Sequence, residues 1–292
     1  MKQIIHKKTV WVGVTVLILC AALLIAFIGF RRKESKSRLL ADGEIASAQE
    51  ITSEKLENSK WLCTLGDHMV VYSSALGQYK ARRFSCVSKN GEITDAPYTL
   101  DKFERVSELC ADPEGNLLLT SSLAGDNYVK LYDSEGSCLF QVNLTEKIGN
   151  GRVDSVRRDA SGFLYIIARD ENEALLYVLD SQGNIQSKFP LLFTVGYLRN
   201  LGNGDVACVY MEEDAQNGGV QFAVQVYADA QKAEKYILPV RSLPDLTAVQ
   251  DGGAFDLYYY DSNYRLYGYD LKKKQSTEIV NLFEAGIPGS EI

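Results

Sequence analysis

From Trp61 to about residue 284, apolar and polar residues alternate at period two in short runs broken by polar turns. This pattern predicts a succession of short β-strands. Two turn phrases recur along it. One reads SKNGEI (88–93), DSEGSC (133–138) and DSQGNI (180–185), then loosens to ADAQKA (228–233) and DLKKKQ (270–275). Each copy follows an apolar strand such as VKLY or LYVL. The second phrase lies about 20 residues earlier in each unit: LGD (65–67), DPEGN (112–116), DASGF (159–163), LGNGD (201–205) and QDGGA (250–254). Gly91, Gly136 and Gly183 supply the positive φ that tight hairpin turns demand.

The repeating unit is therefore about 42–49 residues long and holds four short strands. Five copies are visible, near 61–102, 103–150, 151–194, 195–240 and 241–284, and AGIPGSEI (285–292) resembles the opening of another. A sheet this small cannot bury both faces alone, and stacking such sheets around an axis makes a β-propeller. A β-sandwich also alternates, but has no reason to repeat its turn phrases at a fixed interval. The expected fold is all-β: a β-propeller with about five visible four-stranded blades, preceded by one transmembrane helix. The ring could close with a strand from the stalk, or these blades could form part of a longer propeller.

The transmembrane expectation rests on Thr9–Phe30, 22 residues without a charge, flanked by Lys7-Lys8 and Arg31-Arg32-Lys33. A helix of this length spans the ~30 Å hydrocarbon core. A cleavable signal would have a shorter apolar core and a small-residue cleavage site. Cys20 could mark a lipid anchor, but Leu19 precedes it where such sites want a small residue. The domain order expected is a basic tail (1–8), the membrane helix (9–30), a polar stalk (31–60) and the propeller (61–292). Near the membrane, Lys2, Lys7 and Lys8 face Arg31, Arg32, Lys33, Lys36 and Arg38. Under the positive-inside rule that count favours a cytoplasmic body.

Charge is uneven. Residues 1–38 hold eight Lys/Arg and one acid, while the other 254 hold 23 basic and 37 acidic residues. An acidic body lacks the clustered cations that bind a phosphate backbone, so nucleic acid is not an expected partner. Of two histidines, only His68 lies in the body, which argues against histidine metal clusters and triad catalysis. No P-loop, dinucleotide fingerprint, C-x-x-C or calcium loop is present. Asp112, Asp159 and Asp251 recur at matching places and could form the acid ring of a propeller glycosidase. Asp before Gly is more simply turn chemistry. Cys63, Cys86, Cys110, Cys138 and Cys208 read mostly as small buried apolar residues on strands. Tyr258, Tyr259, Tyr260, Tyr264, Tyr267 and Tyr269 could stack on sugars, but tyrosine also packs half-buried strands. Asn143-Leu-Thr145 fits the glycosylation sequon beside a turn. No catalytic, metal or cofactor residue is nominated, and ligand-binding residues are not assigned.

The Y/L-D-x-x-G and D-x-x-G-N/F-L turns behind a membrane segment resemble the propeller of certain bacterial surface proteins. There the propeller precedes a type 1 extracellular solute-binding domain, the receptor of sugar-type ABC importers. The stretch YGYDLKKKQSTEIVNLFEAGIPGSEI is similar to a blade near the middle of that propeller, and the resemblance covers about 59–292. The motifs are shared with NHL-type propellers, and the solute-binding domain is not in this sequence. The resemblance implies an extracytoplasmic body, against the charge count, and no ligand residues carry over from it. The expected function is a membrane-anchored, non-catalytic binding or interaction module linked to solute capture or sensing, with a carbohydrate or protein ligand recognised by loops at one end. The alternatives are a propeller glycoside hydrolase acting on surface glycans and an inside-facing protein scaffold.

Overall fold

Each repeat folds as an antiparallel meander in which neighbours in sequence are neighbours in the sheet. The first blade contains β1 (Ser59–Leu65), β2 (His68–Ser73), β3 (Arg83–Ser88) and β4 (Ile93–Asp95). The second contains β5 (Arg105–Ala111), β6 (Leu117–Leu123), β7 (Asp126–Tyr132) and β8 (Cys138–Asn143), followed by the short helix α1 (Leu144–Ile148). The third contains β9 (Arg152–Arg158), β10 (Leu164–Arg169), β11 (Ala174–Leu179) and β12 (Ile185–Leu191). The fourth contains β13 (Gly196–Asn200), β14 (Val206–Glu213), β15 (Val220–Ala228) and β16 (Gln231–Leu238). The fifth shows three strands among the described residues, β17 (Leu257–Tyr260), β18 (Arg265–Asp270) and β19 (Gln275–Asn281). This computed structural model describes residues 54–56, 59–74, 83–169, 173–191, 196–214, 218–238, 255–260 and 265–281. The expected membrane helix at 9–30 lies outside them. No helix among the described residues is long and apolar enough to cross a membrane.

The first strands β1, β5, β9 and β13 pack against one another in turn and form the inner wall of the ring. Further out, the blades stack face to face, and strand alternation decides which neighbour each side chain meets. In β10, Leu164 and Ile166 join the core shared with blade two, while Tyr165 and Ile167 join the core shared with blade four. The same division holds in β14, where Val206 and Cys208 face blade three and Ala207 and Val209 face blade five. Middle strands are thus buried on both faces, which is why LYII and ALLYVL are continuous apolar runs. The register shifts by one residue at several pairings, as between Val106 and Glu108, adding local twist.

Among the described residues the turn phrases sit where the repeat predicts; QDGGA (250–254) and the segment 285–292 lie outside them. Asp133 Oδ1 accepts from the backbone N–H groups of Glu135 (2.9 Å) and Ser137 (2.8 Å), closing the β7–β8 turn. Gly136 completes it at φ 85°, and a Cβ there would fall inside Pro97. The looser copy between β15 and β16 is a different turn. Asp229 (φ 49°) and Ala230 (φ 62°) are both left-handed, the conformation of a two-residue type I′ hairpin. The phrase degenerates there because the loop is shorter.

Candidate functional site

The inner strands are sheet edges, and their outward backbone groups need partners. The repeat supplies them from the adjacent blade. Glu108 on β5 accepts from Val156 N–H on β9 at 3.1 Å. At the equivalent place one blade on, Ser155 Oγ accepts from Leu198 N–H on β13 at 3.2 Å. Asn200 Nδ2 donates back to Arg158 O at 2.6 Å. Arg157, buried beside the axis, binds Glu108 at 2.6 Å and donates to Val156 O. Its counterpart Arg199 donates to Leu198 O at 2.9 Å and lies 4.5 Å from the Tyr197 ring. This polar wall ties blades together.

The acids singled out by spacing are turn residues. Asp112 Oδ1 accepts from Glu114 N–H (2.9 Å) and Asn116 N–H (2.8 Å), and its Oδ2 binds Arg158 of the next blade at 2.7 Å. Asp159 accepts from Phe163 N–H (2.8 Å) and Tyr165 Oη–H (2.9 Å). Burial raises its pKa, partly opposed by these hydrogen bonds. Asp251 lies outside the described residues.

His68 sits half-buried at the start of β2, opposite Leu65 and Ser88. Cys63 and Cys208 are buried, with burial pushing both thiols up to about 12, and Cys110 is pushed up to about 11. Such thiols stay protonated and unreactive. Cys138 departs from the expected burial and is exposed at the start of β8. Tyr259 and Tyr267 stack on each other at 5.2 Å, and Tyr269 donates to Ile237 O, so these rings pack blade five against blade four. Tyr264 and the side chain of Tyr260 lie outside the described residues. The sequon is engaged structurally: Asn143 caps α1 by accepting from Glu146 N–H, and Thr145 Oγ1 accepts from Asn127 N–H.

The feature that spacing did not reveal is a cavity of about 600 Å³ beside blade three. It lies at the ring end opposite the repeated turns, between the segment from Ile148 to Arg152 and the ends of β10 and β11. Ile148, Ala168, Leu175 and Tyr177 give it an apolar floor, while Asn150, Arg152, Arg169 and Glu173 give it polar walls. Asp154 Oδ1 and Oδ2 hold Arg152 Nε at 2.8 Å and Arg169 Nε at 2.9 Å. Gly151 crosses Arg169 so closely that a Cβ would lie 3.2 Å from its carbonyl oxygen. The volume is that of a small-molecule site, and convergent polar groups over an apolar base are what such sites offer. Sequence reasoning misses it because the lining residues come from a connection and two strand ends that repeat nothing. The one signal is that Gly149-Asn150-Gly151 has no counterpart in the other units.

No family model and no curated protein matches the chain. Among solved structures, a DUF4784 family protein from Bacteroides caccae aligns with TM-score 0.50 and 12% identity, over 81% of this chain and 67% of that one. A streptogramin B lyase aligns with TM-score 0.48 and 14% identity, over 76% and 68%. A gluconolactonase from Xanthomonas campestris aligns with TM-score 0.47 and 13% identity, over 75% and 74%. At these identities the likeness concerns the fold alone, and the fold is a five-bladed β-propeller.

Proposed function

We propose that this chain is a non-catalytic binding module that captures or senses a small polar solute at the mouth of blade three. The observation that carries the reading is the cavity itself: apolar floor, polar walls, and connections that depart from the repeat on a rigid scaffold. Asp112 and Asp159, the acids proposed for glycan hydrolysis, are committed to turns and inter-blade contacts, which favours binding over catalysis. In this reading the apolar segment 9–30 anchors the body to a membrane and the body lies outside the cell, which the uncharged length of that segment and the resemblance of the turn motifs to surface propellers support.

Thermal unfolding of the full chain in detergent, with panels of saccharides, amino acids and short peptides, tests this. The comparison is Asn150→Trp, which fills the cavity from an exposed loop position. At least one solute class is expected to raise the Tm of the native protein and not of the variant. Equal responses of the two proteins to every class would overturn the reading.

A further inference from the structure

The repeat supplies a reference for this cavity, because blade two fills the equivalent place. The inner strands align as Glu104-Arg105-Val106 and Gly151-Arg152-Val153, ahead of the matching turns at Asp112 and Asp159. Their registers agree: Val106 pairs with Ser121 and Val153 with Ala168, and each pairing then shifts by one residue. One strand further out, Leu119 pairs with Lys130 and Ile166 with Tyr177. In blade two the Glu104 carboxylate is fully buried and accepts from Ser121 Oγ, Asp101 N–H (3.0 Å) and Lys130 Nζ (2.8 Å). At the places of Glu104, Ser121 and Lys130, blade three has Gly151, Ala168 and Tyr177, and all three line the cavity. A buried carboxylate needs its cation, so an apolar version of the site must lack both together, as this one does. The charged lining residues Arg152, Arg169 and Glu173 are engaged within the protein, and the floor of Ile148, Ala168, Leu175 and Tyr177 is apolar.

Resting on the reading that this cavity is the binding site, we infer that its ligand is an uncharged polar solute with an apolar body, a branched alkyl chain or an aryl ring, which fills in blade three the space that the Glu104 side chain fills in blade two. Gly151 is the residue that admits it. The body lies over Ala168, Leu175 and Tyr177, and the polar part of the solute stays toward the exposed Asn150. A charged group at the same depth would be desolvated without the Ser121 and Lys130 partners that make the Glu104 carboxylate tolerable, so charge there is rejected.

Calorimetric titration of the full chain in detergent uses four probes with one uncharged head: the N-acetyl amides of leucine, phenylalanine, glycine and aspartate. The leucine and phenylalanine amides are expected to bind about tenfold or more tighter than the glycine amide, through burial of the body, and the aspartate amide no tighter than glycine. A glycine amide that binds as well as leucine, an aspartate amide that binds best, or no binding of any probe would overturn this inference, while the solute panels judge the broader reading separately. That order of affinities is read on the native chain. The combined exchange Gly151→Glu, Ala168→Ser and Tyr177→Lys then rebuilds the blade-two cluster in blade three. It is expected to fold and to weaken the leucine amide about tenfold or more; undiminished binding by the folded variant would also overturn the inference. If every probe and every solute class treats the native protein and Asn150→Trp alike, both readings fall.

Discussion

At one end of the ring, β5–β6, β9–β10 and β13–β14 close through near-identical turns at Asp112–Asn116, Asp159–Phe163 and Leu201–Asp205, each with the same pair of backbone hydrogen bonds. At the other end, the two connections that are fully described differ: 96–104 holds no helix or strand, while 144–151 folds into a helical turn and a Gly-Asn-Gly bend. The turn end is cross-linked between blades, by Arg158 to Asp112 at 2.7 Å and Ala160 N–H to Gly204 O at 2.9 Å. The open end carries the cavity. Repetition marks the end where blades must fit one another, and divergence marks the end where another molecule can.

The contrast can be broken or sharpened by substitution. The largest loss is expected in the shared cores: Ile166→Ala, buried between blades two and three, should cost about 2–5 kcal/mol in urea unfolding. Next comes the inner wall. Glu108→Ala leaves the buried Arg157 without its carboxylate and Val156 N–H without an acceptor, costing about 3 kcal/mol by the same measurement. Gly136→Ala, at φ 85° and against Pro97, should cost about 1–3 kcal/mol.

A pH experiment compares two turn acids of blade three. Burial raises the Asp159 pKa above its ordinary 3.8, so the folded protein binds that proton more tightly than the unfolded chain. Its contribution to stability therefore grows as pH falls through the folded value, and levels off below the unfolded one. Asp180 is opposite in sign, because the backbone N–H of Asn184 lowers its pKa. Its contribution is present above the unfolded value and fades as pH falls through the folded one. Asp159→Asn should thus remove a gain on acidification, and Asp180→Asn a loss, in unfolding curves taken from pH 7 to 3. Smallest of all, Arg152→Ala, on an 83% exposed side chain at the open end, should change stability by no more than about 0.5 kcal/mol.

Period-two alternation and the spacing of Asp-x-x-Gly turns make the blades legible in the sequence, because every unit solves the same packing problem. The turn role of Asp112 and Asp159 is legible for the same reason. What escapes is chemistry made by neighbours. Glu108 and Ser155 look unrelated by type, yet occupy one structural position and perform one task. The pairing of Asp154 with Arg152 and Arg169 depends on β9 and β10 meeting at their ends. Arg169 is 15 residues from Asp154, a separation with no helical or hairpin-turn signature of its own.

The inner wall also has a direction in time. Glu108 is synthesised before the Val156 amide it accepts from, and Ser155 before that of Leu198. As the chain leaves the ribosome from its N-terminal side, blades two and three each carry an acceptor for the next inner strand before that strand is made. At these two junctions the inner wall is a zip whose teeth are laid down one step ahead of the slider.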